Sequence, residues 1–231
     1  MAIYAISDLH LSLNDEKKSM EVFGEDWKDY VSKIKKNWKN TVKEEDTVLI
    51  AGDISWGLNI EEAKKDFEFI NKLPGKKIIV KGNHDYYFST RKKVESFLNE
   101  NNFNTINILH NNSFVVNNIV ICGTRGWGNT GDAFQGADDQ KILQREIGRL
   151  KISLDSIHKE DKNKDVIVMT HFPPFNHEFQ KLLKEYNVRK CIYGHLHGKG
   201  HYMVREGNID GIEYIMVSGD YTKFKLVKIY K

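Results

Sequence analysis

The sequence predicts an α/β fold in which short buried strands alternate with helices along 231 residues. Apolar runs of strand length lie at residues 46–51 and 77–80, and each is followed by a loop that contains glycine and polar side chains. Between these two runs, residues 61–71 carry apolar side chains at helical spacing. A strand, a crossing helix and a second strand form a right-handed unit with parallel strands. We therefore expect the chemistry at the carboxyl ends of the strands, where open α/β sheets bind ligands.

The other elements follow the same pattern along the chain. Residues 27–40 are predicted to be a helix, because their aromatic and aliphatic side chains fall on one helical face. Residues 113–116 and 119–122 are predicted to form a hairpin that turns at Asn117 and Asn118. The predicted helices cover residues 27–40, 61–71, 90–98, 138–158 and 178–186. The predicted strands cover residues 2–7, 46–51, 77–80, 105–109, 113–116, 119–122, 164–170, 190–193, 201–205, 212–217 and 224–229.

Composition and charge narrow the class of protein. With 40% hydrophobic residues the chain can bury an ordinary core, and we expect a single domain over residues 1–231. The 35 basic and 32 acidic side chains form no dominant basic block, so we expect no nucleic acid or membrane partner, whereas a small phosphate-bearing ligand is compatible. We interpret Cys122 and Cys191 as small buried hydrophobic residues, with a disulfide as the alternative. The apolar start at residues 1–6 is too short for a signal peptide, and we expect a cytoplasmic protein.

Polar side chains that can bind metal ions follow five of the predicted strands. They are Asp8 and His10, then Asp53, then Asn83 and His84, then His171, and finally His195 and His197. Taken singly, each has an ordinary explanation, since Asp8 could cap a helix and Gly-Asp at 52–53 is a common turn. Their joint occurrence at separate strand exits is poorly explained by capping. A layered α/β sheet brings such exits together.

These side chains belong to five short sequence blocks. The blocks are Asp-x-His at residues 8–10, Gly-Asp at 52–53, Gly-Asn-His-Asp at 82–85, the isolated His171 and Gly-His-x-His at 194–197. With these blocks in this order, the sequence resembles the calcineurin-like metallophosphoesterase superfamily from residue 3 to residue 198. The resemblance implies a four-layer α/β/β/α metallophosphoesterase sandwich with the metal site at the carboxyl ends of the strands.

The resemblance also implies a site for two metal ions. One ion would be bound by Asp8, His10, Asp53 and His197. The other would be bound by Asp53, Asn83, His171 and His195, so that Asp53 bridges the pair. Oxygen and imidazole ligands without a thiolate suit divalent or trivalent Mn, Fe, Zn, Ni or Co. Such a pair, about 3.5–4 Å apart, would supply a metal-bridging hydroxide that attacks the phosphorus.

Three further side chains have predicted roles in catalysis or substrate binding. We expect His84 to protonate or stabilise the leaving group, with Asp85 accepting the other ring proton. Arg125 could contact the phosphate through its guanidinium, although a surface salt bridge is an equal alternative. Aromatic side chains near the motif loops could form a wall for an organic leaving group or could simply be packed; they are Trp56, Tyr86, Tyr87 and Trp127. Gly219-Asp220-Tyr221 is predicted to be a turn without an assigned function.

The predicted function is hydrolysis of phosphate mono- or diesters with a small phosphate ester as substrate. A non-catalytic metal-binding scaffold of the same fold is the alternative from another class, and a nuclease is the third possibility. The loops expected to select the substrate are residues 11–26, 86–90 and 123–140.

Overall fold

A computed structural model describes residues 1–15, 18–128 and 137–231. The strands are β1 Ile3–Ile6, β2 Thr47–Ile50, β3 Lys76–Ile79, β4 Ile106–Ile108, β5 Phe114–Val116, β6 Ile119–Thr124, β7 Asp165–Thr170, β8 Val188–Tyr193, β9 Gly207–Ile209, β10 Ile212–Met216 and β11 Val227–Tyr230. The α-helices are α1 Tyr30–Thr41, α2 Lys64–Asn71, α3 Arg91–Glu100, α4 Ala137–Asp155 and α5 His177–Glu185.

The strands form two mixed sheets. The first has the order β11-β1-β2-β3-β4, and the second has the order β5-β6-β7-β8-β10-β9. Strands β1 to β4 are mutually parallel, as are β6, β7, β8 and β10. The β1–β2 register pairs Ile6 with Ile50, so these two strands end side by side. This confirms the predicted strand-helix-strand units and aligns the loops that carry the polar residues.

The alternation of side chains along each strand creates the layers. In β1, Tyr4 and Ile6 pack in one cluster with Ile34 of α1 and Phe67 of α2. Ile3 faces the other way, into a cluster shared by both sheets. On its outer face the second sheet packs against α4 and α5. The order is therefore helices, sheet, sheet, helices, which confirms the four-layer α/β/β/α fold.

Local sequence signals explain where several helices begin. Helix α3 starts after Thr90, whose hydroxyl oxygen accepts the Lys93 N–H at 3.3 Å. Helix α5 starts after Asn176, whose side-chain oxygen accepts the Glu178 N–H at 2.9 Å. Both are side-chain caps of the kind that satisfy the unpaired amides of a first turn.

The chain after the Gly-His-x-His block differs from the prediction. The expected strand at 201–205 is wrong, because Gly198–Met203 forms a 3-10 helix that starts at a glycine with φ of +48°. The expected strand at 224–229 starts only at Val227, because Lys223 and Phe224 adopt positive φ angles and turn the chain.

Two predicted substrate-selecting loops are only partly described. Positions 16 and 17 of loop 11–26 and positions 129–136 of loop 123–140 lie outside the described residues.

Both cysteines are buried free thiols, as interpreted from the sequence. Burial raises the pKa of the Cys122 thiol to about 12, which makes it an inert packing residue. In the described part of the chain, no helix combines the length and the apolar character that a membrane span requires.

Candidate metal centre

The predicted polar residues meet at one edge, where the exits of β1, β2 and β3 face those of β7 and β8. Backbone hydrogen bonds tie the loops together: the Asp8 N–H donates to the Gly52 carbonyl at 2.9 Å, and the His10 N–H donates to the Asp53 carbonyl at 2.9 Å. In the other sheet, the Gly194 N–H donates to the His171 carbonyl at 3.0 Å. Residues from both sheets therefore share one site.

Asp8 is held so that one carboxylate oxygen remains directed into the site. Its Oδ2 accepts hydrogen bonds from the Ser7 hydroxyl, from the Ser218 hydroxyl at 2.8 Å and from the His195 N–H at 3.0 Å. Its Oδ1 lies 3.1 Å from His197 Nε2 and 3.8 Å from His10 Nε2. The protein thus fixes one oxygen and presents the other.

The carboxylate of Asp53 is arranged in the same way, with one oxygen held by the protein and the other directed into the site. Its Oδ1 accepts the His84 N–H at 2.8 Å. Its Oδ2 lies 3.7 Å from His10 Nε2 and 3.3 Å from His171 Nε2. Since those two histidines come from opposite sheets, Asp53 Oδ2 occupies the position that a bridging ligand would need.

The histidine rings are oriented through the nitrogen that faces away from the site. His171 Nδ1 lies 2.9 Å from the Ala51 carbonyl, to which it donates, and His197 Nδ1 lies 2.8 Å from Asp220 Oδ1. Both Nε2 atoms are left to face the centre. This second contact is the usual arrangement of metal-binding histidines, and it fixes the tautomer.

Asp220 was missed as a functional residue in the sequence. Its side chain is 2% exposed, and its Oδ2 accepts the Gly198 N–H at 3.1 Å and lies 3.3 Å from His201 Nε2. In the sequence it stands in an ordinary Gly-Asp-Tyr turn, 23 residues after His197. Only the pairing of β10 beside β8 brings the two together.

Asn83 and His195 complete the side of the centre formed by His171. Asn83 Oδ1 lies 2.7 Å from His171 Nε2 and 3.0 Å from His195 Nδ1. The two imidazole nitrogens are 3.2 Å apart. Asn83 and His195 are half-buried while His171 is fully buried, so this side of the site opens to solvent.

Electrostatics keep the carboxylates ionised. Burial alone would raise the pKa of Asp53, but the positive charge on His171 and His10 lowers it to about 2. For His171, burial is outweighed by the attraction of Asp53, which raises its pKa to about 9. Burial lowers the pKa of His10 to about 4 despite the same carboxylate. The site therefore combines ionised oxygens, a neutral His10 ring and a protonated His171 ring whose proton a bound cation would replace.

The pKa values of the remaining two histidines shift in opposite directions, again because of burial and neighbouring charges. Burial lowers the pKa of His195 to about 3, and the positive charge of His171 adds to that effect. For His197, burial is outweighed by Asp8 and Asp220, which raise the pKa to about 10. A cation at the centre would replace the proton that this ring otherwise holds.

Two motif glycines are required by close approaches of the backbone. A Cβ at Gly82 would lie 2.0 Å from Asp53 Oδ1, and a Cβ at Gly194 would lie 2.2 Å from the Ser7 hydroxyl oxygen. Any side chain there would displace the presented carboxylates. Four non-glycine residues of the site also adopt the left-handed region of φ, namely Asp8, His10, Asp53 and His195. Such strained backbone concentrates at functional sites.

The donor atoms fit bound metal ions. The ligand atoms of Asp8, His10 and His197 all lie within 4.8 Å of one another, as do those of Asp8, Asp53 and His171. The first group matches three of the ligands expected for one ion. The second shares two with the other expected set and adds Asp8. Closely spaced oxygen and imidazole donors without a thiolate suit transition metals of intermediate softness.

The predicted contact between Asp85 and the His84 ring is corrected by the structure. Asp85 is buried, and its carboxylate accepts backbone N–H groups from Asp53 at 3.0 Å, Ile54 at 2.8 Å, Ser55 at 3.2 Å and Gly82 at 2.7 Å. Asp85 therefore joins the β2 and β3 loops. Through these hydrogen bonds it positions the loops that carry Asp53 and Asn83.

The His84 ring is half-buried and lies beside a different group. Its Nδ1 is 3.5 Å from the hydroxyl of Tyr86. Trp56 lies between His84 and His10, with ring centroids 4.6 Å from the former and 4.9 Å from the latter. Trp56 thus borders the site, a position that fits both alternatives given for it in the sequence, a wall for the leaving group and packing.

Arg125 forms a salt bridge, which the sequence left as an alternative to a phosphate contact, but its partner is buried and does not lie on the surface. Its guanidinium lies 3.5 Å from buried Glu146 and 4.9 Å from the ring of Trp127, while Trp127 packs on Phe172 at 5.0 Å. Tyr87 is buried against Phe67, so packing is its role.

Comparison with known proteins gives one family match across most of the chain. A family model described as calcineurin-like phosphoesterase matches residues 1–199. Among curated proteins, an uncharacterized protein of Methanocaldococcus jannaschii is 30% identical over 93 residues, which are 40% of this chain and 52% of that protein. The chain thus spans about half the length of that relative.

Solved structures share the architecture at low sequence identity. Phosphopantetheinyl hydrolase from Mycobacterium tuberculosis is 15% identical with a TM-score of 0.59, covering 99% of this chain and 95% of that one. A protein of unknown function from Aquifex aeolicus is 18% identical with a TM-score of 0.54, covering 98% and 95%. At these identities the likeness concerns the fold alone.

Proposed function

Because this chain belongs to the calcineurin-like phosphoesterase family, we propose that it is a hydrolase of phosphate mono- or diesters that works with two bound metal ions. The observation that carries the proposal is the convergence of seven potential ligands from five strand exits in two sheets. Asp53 Oδ2 supports a pair of ions, since it lies near His10 on one side and His171 on the other.

The proposed ligands divide as the family resemblance implies. Asp8, His10, Asp53 and His197 would hold one ion. Asp53, Asn83, His171 and His195 would hold the other. Mn, Fe, Zn, Ni and Co are the candidates that match these donors. When bound, such ions acidify a water molecule and stabilise negative charge on phosphoryl oxygens.

The protein's own groups would orient the substrate and manage the proton on the leaving group. His84 stands at the half-buried opening, next to the proposed ligand Asn83. We assign it the donation of a proton to the leaving oxygen, which is the step that a poor leaving group needs. The Tyr86 hydroxyl, 3.5 Å from His84 Nδ1, would orient the ring in place of Asp85. Trp56 would limit the space beside the leaving group.

The proposed substrate is a small phosphate ester. Its organic part would be selected by the loops at 11–26, 86–90 and 123–140, and the dispersed charges argue against nucleic acid as substrate. Two buried free thiols agree with a reducing compartment, which supports the expected cytoplasmic location.

A metal-by-substrate panel tests this proposal. Purified protein is stripped of metal, reloaded with each candidate ion and assayed on p-nitrophenyl phosphate and bis(p-nitrophenyl) phosphate. We expect metal-dependent hydrolysis in at least one combination and its loss in Asp53→Asn. Asp210→Asn is the matched control, since Asp210 forms an exposed ion pair with Lys184 away from the centre. Full metal binding without hydrolysis of either ester would instead support a non-catalytic scaffold.

A further inference from the structure

A cluster of basic side chains lies beside the proposed metal centre, at the exits of β3 and β6. We call it the cationic notch and define it by Lys81, Arg125 and Arg149, with Glu146 and His110 in its wall. Lys81 and both arginines are partly exposed, so the notch opens to solvent.

Glu146 anchors the arginines of the notch. Its side chain is fully buried and accepts the Thr124 hydroxyl at 2.6 Å. The guanidinium of Arg149 donates to it at 2.7 Å, and that of Arg125 at 3.5 Å. These contacts hold two guanidinium groups in fixed positions around one carboxylate. With Lys81 included, three positive charges face one negative charge, which leaves two in excess.

The notch retains unused hydrogen-bond donors. Arg125 Nε is buried and has no hydrogen-bond partner among the described residues. The Lys81 ammonium donates to the Phe88 carbonyl at 2.9 Å, and an ammonium carries three N–H groups. An anion would be attracted to the three positive charges and would accept hydrogen bonds from the free N–H groups of Lys81.

The notch is connected to the metal centre by backbone and by electrostatics. Lys81 directly precedes the Gly-Asn-His-Asp block. The Arg125 carbonyl accepts the N–H groups of His171 and Phe172, both at 2.9 Å. Asp53 is among the charges that act on the Arg125 guanidinium. The notch therefore borders the loops that carry Asn83 and His171.

We propose that the cationic notch binds a second phosphate group of the substrate, a few bonds away from the phosphate that is cleaved. This inference rests on the proposed function and names the substrate class: phosphate esters that carry a second phosphate. Arg125 and Arg149 bind its oxygens with planar, fixed guanidinium groups, while Lys81 contributes a point charge. Glu146 is a positioning residue that holds the two guanidinium groups around its carboxylate.

The test measures binding and does not require turnover. Isothermal titration of the manganese-loaded protein compares methylphosphonate with alkyl diphosphonates whose two phosphonates are separated by one to four carbons. We expect at least one diphosphonate to bind about tenfold more tightly or better, which is the gain of one hydrogen-bonded charge pair. The ratio of diphosphonate to methylphosphonate affinity should fall about tenfold in Lys81→Met and in Arg149→Met. Chelation of manganese in solution is the same for every variant and cancels in the comparison.

Matched controls remove a lysine and an arginine elsewhere. Lys72→Met and Arg189→Met break exposed ion pairs with Glu68 and Asp165, and the gain should persist in both. If Arg149→Met does not fold, Lys81→Met still decides the question, since Lys81 makes no ion pair with Glu146 in the described structure. The inference is overturned if no diphosphonate exceeds methylphosphonate, or if the gain survives in Lys81→Met. Failure of the ester panel with an intact diphosphonate gain would refute the proposed hydrolysis alone.

Discussion

Removing the negative charge of Asp220 should weaken metal binding, although Asp220 is not itself a proposed ligand. Asp220 Oδ1 lies 2.8 Å from His197 Nδ1, and its side chain is only 2% exposed, so the contact is a buried charge-assisted hydrogen bond. It holds His197 Nε2 at 3.1 Å from Asp8 Oδ1. Loss of such a partner typically lowers metal affinity about 10- to 100-fold, or about 1.4–2.8 kcal/mol.

Asp220→Asn and Asp220→Ala should weaken metal binding to different degrees. Asp220→Asn keeps an oxygen that can accept the proton of His197 Nδ1 and loses only the charge, so we expect about tenfold weaker binding. Asp220→Ala also leaves the Gly198 N–H without its acceptor, and we expect about 100-fold. The assay is competition for manganese and zinc against a fluorescent chelator. Only one of two binding events should weaken, because His197 belongs to one proposed ligand set.

Asp210→Asn serves as the control for the Asp220 series, since Asp210 is 66% exposed and paired with Lys184 at 2.8 Å. Circular dichroism should report an unchanged fold for all three variants. If the affinities of Asp220→Ala for manganese and for zinc both lie within twofold of the wild-type values, His197 is oriented by other contacts. That result would refute this reasoning.

Three more substitutions test other parts of the account. His84→Ala should lower turnover of a phenyl ester about 10²–10⁴-fold and that of a p-nitrophenyl ester much less, because the better leaving group needs no proton. Asp85→Ala should lower the free energy of unfolding by about 3 kcal/mol or more, because four buried backbone N–H groups lose their acceptor. Burial raises the pKa of Asp66 to about 6, so the folded state holds this proton more tightly than the unfolded state. Wild-type stability should therefore fall by up to about 3 kcal/mol relative to Asp66→Asn as the pH rises from about 4 to 6.

Each of these has a clear contrary result. An equal loss on both leaving groups would remove His84 from proton transfer. If Asp85→Ala unfolds at the same urea concentration as the wild type, the loops after β2 and β3 are held together by other contacts. Parallel stability curves for wild type and Asp66→Asn between pH 4 and pH 7 would contradict the raised pKa.

The fold and the main site residues could be predicted because they depend on local signals. Largely apolar strands, each followed by a metal-binding side chain, indicate both a buried sheet and its functional edge. The parallel registers then place Asp8 beside Asp53, since β1 and β2 end together. The seven proposed ligands all lie at such strand exits, and the family resemblance is what separates them from His84.

The supporting contacts could not be predicted, because they depend on where side chains point in the finished fold. Asp85 was expected to face the adjacent His84, but the turn directs it inward to the backbone of residues 53–55. Asp220 reaches His197 only through the pairing of β10 and β8. The strand predicted at 201–205 is wrong in part because residues 201–203 end the 3-10 helix Gly198–Met203, whose few side chains carry no clear period.

The most direct test of the central claim is a titration of phosphoesterase activity with manganese. Metal-free protein is supplied with increasing equivalents of the ion, and hydrolysis of bis(p-nitrophenyl) phosphate or p-nitrophenyl phosphate is measured together with bound metal. We predict that activity rises with metal content, saturates at two ions per chain and is lost in Asp53→Asn. Activity that is complete at one ion, or that persists without metal, would contradict a two-metal phosphoesterase centre.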